Sequence, residues 1–316
     1  MKILANDGMD AIGIDLLQKA GFSVVTEKVA QENLIETINQ VGYKILTVRS
    51  ATKVRKDLID ACPSLKIIGR GGVGMDNIDV EYARSKGIKV INTPAASSNS
   101  VAELVIGSMF SMTRMLYDSN KQMHQNGAMQ FDALKKKYAK GTEVGGKTIG
   151  IVGIGRIGQA VARMAAGLGM NVIAHDPFIN EVNIEVNVAN QHKVSIKINT
   201  VSLDEVFSKS DFITLHVPGG NLISTAEFDK MKKGVCIINI SRGGVVDELA
   251  LIEALNNGKV AHAALDVFDN EPTPRQEILS HPKISLTPHI GAATEEAQER
   301  IGIELANSII DNFEKS

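Results

Sequence analysis

The sequence predicts an α/β protein made of two doubly wound, parallel-sheet domains. Three observations carry that expectation. Short apolar runs alternate with helix-period segments along most of the chain, the pattern of βαβ units. The alternation comes in two series, separated by a long apolar helical stretch after Asn99. The length, 316 residues, is enough for two domains that each bury a core.

In the first series the strand candidates are Ile3-Leu4-Ala5, Ser23-Val24-Val25, Lys44 to Val48, Lys66-Ile67-Ile68 and Ile88 to Ile91. Helical patterns over Asp10 to Ala20, Gln31 to Gln40, Asp57 to Ala61 and Val80 to Lys86 connect them. Gly21 and Gly87 stand where helix C-caps belong, since the residue past a helix end often takes left-handed backbone. After Pro94, Ser97-Ser98-Asn99-Ser100 offers N-cap side chains for a helix from about Val101 toward Tyr117 or beyond. Val101 to Met109 is small and apolar nearly all round, which predicts burial. Asn126 to Gly146 is polar, holds Lys135-Lys136-Lys137, and reads as a surface arm. The second series has strand candidates at Thr148 to Val152, Asn171 to Ala174, Phe212 to His216, Val235 to Ile240, Ala261 to Val267 and Ile284 to Thr287. Asn183 to Val201 alternates polar and apolar residues, most clearly over Val194 to Ile198, and reads as a hairpin insertion.

Composition narrows the function. Lys+Arg number 34 and Asp+Glu 36, a net charge of −2, so a broadly basic nucleic-acid surface is not expected. Aromatics are 4% and Trp is absent, which disfavours base stacking. The two cysteines, Cys62 and Cys236, have no metal-ligand spacing, and no metal is expected. The start turns polar at Asn6-Asp7, unlike a signal peptide, and no apolar run approaches the roughly 18 residues of a membrane helix. A cytoplasmic protein follows by default.

Gly153-Ile154-Gly155-Arg156-Ile157-Gly158 lies between a predicted strand and a predicted helix, and Asp176 ends the next strand 18 residues after Gly158. That context makes the G-x-G-x-x-G a dinucleotide fingerprint. Its glycines serve the tight turn, the approach of backbone to pyrophosphate, and close helix–strand packing. The helix N-terminus favours the phosphates. Asp176 can accept hydrogen bonds from the ribose hydroxyls and repels a 2′-phosphate. Pro177-Phe178 brings no Arg, so NAD is expected rather than NADP.

Oxidation of an alcohol by such a cofactor needs a base, and histidine is poised near neutral pH. His289 follows a strand and Pro288, and precedes the small-residue turn Gly291-Ala292-Ala293. A side chain there points beyond the strand carboxyl ends, where α/β ligands bind. His175 and His216 end strands and read as backbone neighbours of the nucleotide. Arg242, in Ser241-Arg242-Gly243-Gly244, has the setting of an anion clamp, since a guanidinium makes two parallel bonds to a carboxylate. Glu271, within Asp266 to Pro272, can pair with the imidazole.

Together these segments resemble the D-isomer-specific 2-hydroxyacid dehydrogenases over nearly the whole chain. The resemblance implies a flavodoxin-like substrate domain, residues 1–96 with 289–316, interrupted by a Rossmann NAD-binding domain, residues 97–288. It implies Arg242, Glu271 and His289 as the catalytic set. Cofactor contacts are expected from Gly153, Gly155, Arg156, Ile157, Gly158, Asp176, Val217, Pro218, Ile240, Ser241, Asp266, Gly291 and Ala292. Within the family, Val48 to Val54, Gly69 to Asn77 and Asn92 to Glu103 are most similar to the D-3-phosphoglycerate dehydrogenases. That implies a phosphorylated 2-hydroxy acid as substrate, held by Arg49, Arg70 and the amides of Val73 and Gly74, which can form an anion nest. A homodimer or larger homo-oligomer is expected from the apolar helix after Asn99. One departure from the family is the short turn Gly219-Gly220-Asn221 after Pro218.

Overall fold

A computed structural model describes residues 1–188 and 192–313. The chain divides into two compact units, one of Met1–Ser98 with the segment from Ala292 onward, the other of Asn99–Gly291. Both are parallel α/β units like those the strand and helix patterns predict.

In the first unit, β1 (Lys2–Ala5), β2 (Ser23–Val25), β3 (Ile45–Val48), β4 (Ile67–Arg70) and β5 (Lys89–Asn92) form one parallel sheet in the order β2-β1-β3-β4-β5. The inner strands read as near-continuous Ile, Leu and Val because helices cover both faces. Asp10 starts the helix Ala11–Lys19 by accepting a hydrogen bond from Ile12 N at 2.9 Å. The pattern over Gln31 to Gln40 resolves into a 3₁₀ turn, Gln31–Asn33, and a helix, Leu34–Val41. The C-terminal helix Glu295–Phe313 packs on Ala11–Lys19, and two glycines permit the approach. A Cβ on Gly13 would lie 2.7 Å from the Gly302 carbonyl oxygen. Leu305, Ala306 and Ile309 thereby complete the core around Ile3, Ile45 and Ile67.

The second unit holds β6 (Thr148–Val152), β7 (Asn171–His175), β8 (Glu181–Val188), β9 (His192–Asn199), β10 (Phe212–Leu215), β11 (Val235–Asn239), β12 (Val260–Leu265) and β13 (Ile284–Leu286). Six of them form a parallel sheet, β13-β12-β11-β10-β6-β7. The chain order reverses at β6, which places the carboxyl ends of β6 and β10 beside a crevice of the kind that takes ligands in open α/β sheets. The other two, β8 and β9, form the expected antiparallel hairpin. Its base residues Ile184 and Ile198 are buried, while Val194 further along is 49% exposed.

One expectation is corrected here. The helix Ser98–Arg114 stops at Met115, whose φ is +51°, and a second helical segment, Leu116–Lys137, broken at Gln130 by non-helical backbone (φ −128°, ψ +23°), takes up much of the predicted polar arm. Its Ala, Leu, Met, Gln and Lys residues are strong helix formers whatever their polarity. Lys137 donates to Asp118 at 2.8 Å, so the stretch after Gln130 folds back and the basic run is partly tied to the first turn of the segment. Burial of Ser98–Arg114 is also one-sided. Val101, Val105, Met109 and Met112 are buried, and Glu103 and Gly107 are exposed.

Candidate active site

The glycine turn carries β6 into the helix Arg156–Gly167. Gly153 has a φ of +93°, and a Cβ there would collide with the His216 carbonyl. A Cβ on Gly158 would collide with the Gly153 carbonyl, so this glycine sets the close helix–strand contact. A Cβ on Gly155 would meet nothing within 4 Å, so that backbone faces open space. Gly155 is also the helix N-cap, and no side chain caps the first turn, which leaves Arg156 and Ile157 at a helix start suited to an anion. These features fit a dinucleotide pyrophosphate.

Asp176 lies just past β7. Its Oδ2 accepts from Ile154 N at 3.0 Å, within the glycine turn, and its Oδ1 accepts from Phe178 N and Ile179 N. A carboxylate has about four acceptor positions, so Oδ2 retains one for a ribose hydroxyl. Val217 and Pro218 follow β10, the first half-buried and the second exposed, and Ile240 and buried Ser241 follow β11. His175 and His216 touch the turn through backbone: Gly153 N donates to His175 O at 2.8 Å. His216 is half-buried with its Nδ1 shielded from solvent, its Nε2 lies 3.0 Å from Thr214 Oγ1, and burial pushes its pKa down to about 3. Neutral at working pH, it is unsuited to proton transfer there.

His289 is built by a buried acid. Asp266 is 1% exposed, and its Oδ1 accepts from Thr287 Oγ1 at 2.6 Å and from Ile290 N at 2.8 Å. Its Oδ2 accepts from Gly291 N at 2.9 Å. These bonds grip the backbone on both sides of His289, whose φ is +55°. Left-handed backbone at a non-glycine residue costs on the order of 1 kcal/mol and persists where surrounding bonds enforce it. The loop is thereby held within the second unit. His289 Nδ1 lies 2.8 Å from Glu271 Oε2, and Glu271 Oε1 accepts from Phe268 N at 3.0 Å. Arg242 follows Asn239, which shapes its turn: Asn239 Oδ1 accepts from Ser241, and Asn239 Nδ2 donates to Arg242 O at 2.8 Å.

In the first unit, Arg49 and Arg70 flank one glycine-rich segment. Arg49 Cγ would lie 3.7 Å from a Cβ on Gly71, and the Arg70 guanidinium covers Gly72. Asp7 shapes this edge by accepting from Arg49 N, Thr52 N and Thr52 Oγ1. Val73 and Gly74 follow directly, and Asn92 Nδ2 fastens Val73 O at 2.7 Å. Ala292, the last predicted contact, lies in this unit, and its carbonyl accepts from Gln298 Nε2 at 2.7 Å.

Sequence reasoning missed Asn239, Thr287 and Asp7 as shaping residues. Asn239, a polar residue ending an apolar strand before Ser-Arg-Gly-Gly, was a usable signal. Thr287 and Asp7 act on partners at 21 or more residues' separation, which no local pattern reveals.

A dinucleotide turn on a doubly wound sheet, with a His–carboxylate pair in the same unit, defines a nicotinamide-dependent oxidoreductase. Residues 106–291 match the sequence model described as D-isomer specific 2-hydroxyacid dehydrogenase, NAD binding domain. The chain belongs to that family, and its cofactor is NAD. It is 43% identical to a hydroxypyruvate reductase of Thermotoga maritima, covering 98% of this chain and 97% of that one. It is 39% identical to a D-3-phosphoglycerate dehydrogenase of Synechocystis, covering 98% of this chain but 54% of that one, so it spans about half of that relative's length. Among solved structures, a glyoxylate reductase from Paecilomyes thermophila superposes with a TM-score of 0.83 at 29% identity, covering 100% and 96% of the two chains.

Proposed function

We propose that this chain oxidises D-3-phosphoglycerate to 3-phosphohydroxypyruvate in the cytoplasm, the first step of L-serine biosynthesis. The observation that supports a phosphorylated substrate is the pair of guanidinium groups, Arg49 and Arg70, flanking Gly71 to Gly74. With a cation elsewhere for the carboxylate, these two are left over for a second anionic group, the phosphate. In this reading the Arg242 guanidinium serves the carboxylate, and the amides of Val73 and Gly74 add anion donors beside Arg49 and Arg70. Neutral His289 takes the hydroxyl proton through Nε2, and Glu271 stabilises the imidazolium on the Nδ1 side. NAD accepts the hydride. The exposed Tyr117, Met129 and Phe131 of Leu116–Lys137 support a homodimer, which light scattering would show as a mass near twice 33.9 kDa.

A second reading has specific support. The Thermotoga maritima relative, matched nearly end to end, is named a hydroxypyruvate reductase. Steady-state kinetics with NADH separate the two. On the phosphorylated reading, 3-phosphohydroxypyruvate has the higher kcat/KM, and Arg49→Ala and Arg70→Ala each raise its KM about 10–100-fold, the worth of a charged hydrogen bond. KM for hydroxypyruvate then changes little. Equal effects on both keto acids, or preference for hydroxypyruvate in the wild type, transfer the assignment to the second reading.

A further inference from the structure

We propose that Glu248 is a positioning residue for the catalytic loop, holding Glu271 against His289 by gripping the neighbouring amide; this rests on the oxidoreductase reading above. Glu248 opens the helix Glu248–Asn256 and is only 4% exposed, although an acid in the first turn of a helix is ordinarily solvated. Its Oε1 accepts from Asp269 N at 3.0 Å, and its Oε2 lies 3.3 Å from Arg275 Nε. The amide one residue earlier, Phe268 N, donates to Glu271 Oε1. Two consecutive amides of one loop are therefore divided between a buried acid and the acid that touches the imidazole.

The same grip extends to the arginine turn. Asp269 Oδ1 accepts from Gly244 N at 2.6 Å, and a Cβ on Gly243 would collide with the Phe268 carbonyl. Glu248 thus fixes Asp269, and Asp269 fixes the turn that carries Arg242. The charged groups facing Glu248 are Asp247 on its own helix and Asp269 and Arg275 on the loop. Burial pushes its carboxyl upward, while the Asp269 amide and Arg275 oppose that rise. A buried acid that accepts from one end of a short loop through Oε1, and stands within ion-pair distance of Arg275 at its other end through Oε2, costs desolvation, and it is retained where loop geometry matters.

The test uses the full chain with ¹⁵N-labelled histidine and four variants. Glu248→Leu fills the site but accepts nothing. Glu248→Gln keeps an acceptor oxygen for Asp269 N. Glu248→Asp keeps the charge but falls short of that amide. Glu271→Ala gives the reference for a lost pair. In the wild type the ¹⁵N shifts are expected to show the neutral His289 ring with its proton on Nδ1, facing Glu271. Glu248→Leu is expected to shift that tautomer toward the Glu271→Ala pattern and to lower kcat about 10²-fold with KM for NAD unchanged, the cost of a displaced catalytic group. Glu248→Gln restores both. Adding Glu248→Leu to Glu271→Ala costs little more than Glu271→Ala alone. An Nδ1-protonated ring in folded Glu248→Leu overturns the proposal, as do fully multiplicative losses in the double variant. Should Glu248→Leu not fold, Glu248→Asp decides: loss of the tautomer supports the proposal and retention overturns it. If the wild type turns over no 2-hydroxy acid, the functional reading fails, and the ¹⁵N readout still decides the role of Glu248.

Discussion

Glu271 Oε2 lies 2.8 Å from His289 Nδ1, so the carboxylate occupies one edge of the imidazole and Nε2 is the nitrogen left to exchange a proton. His289→Asn tests that division of labour. Asn tolerates left-handed backbone nearly as well as His, so the loop should hold its shape. Loss of the base is expected to lower kcat by about 10²–10⁴-fold. The NAD dissociation constant, measured by quenching or calorimetry, should stay at the wild-type value. A variant with near-normal kcat removes His289 from the chemistry.

Asp266 separates into two roles that a single variant distinguishes. Its sequence position implies a cofactor contact, while its oxygens bond Thr287, Ile290 and Gly291. Asp266→Ala leaves those donors without their buried acceptor, a loss on the order of 3 kcal/mol in urea unfolding. Release of the His289 backbone should lower kcat as well. If Asp266→Ala instead weakens NAD binding with unfolding unchanged, the loop-holding role is wrong.

The glycines of the turn predict a split between folding and binding. Gly155→Ser adds a side chain where the backbone meets open space and keeps a residue suited to the helix N-cap, so the melting temperature should hold and NAD affinity should fall. Gly158→Ala drives a methyl into the Gly153 carbonyl, so both should fall, with destabilisation of about 1–3 kcal/mol for overpacking. Matching thermal losses in the two variants would falsify the separate roles given to these positions.

Which of these features the sequence reveals follows from their range. The strands were legible because parallel strands covered on both faces read as runs of Ile, Val and Leu, as in Ile45 to Val48. The hairpin showed through its period of two, and the glycine turn through its place between strand and helix. The helix Leu116–Lys137 was half hidden, since its polar residues carry no apolar stripe strong enough to mark its end. Asp266 and Glu248 were illegible as holders of loops. Their partners lie 21 to 25 residues away, and only the tertiary fold brings them together.

His216 gives a prediction about acid. Burial pushes its pKa from the ordinary 6.5 down to about 3, and its Nδ1 has no hydrogen-bond partner among the described residues. The unfolded chain binds a proton near pH 6.5, and the folded ring refuses it until about pH 3. Between those values the unfolded state holds more protons, so stability falls as pH falls, with a slope of up to about 1.4 kcal/mol per pH unit from this group. Above pH 6.5 the ring is neutral in both states and contributes no slope, and below about pH 3 the loss levels off. His216→Gln removes the titration, so its urea midpoint should decline less steeply than the wild type's across this window, with the two curves parallel above it. Curves that stay parallel from pH 7 to 3 would mean that the ring takes up its proton in the folded state, and that His216 is open to solvent.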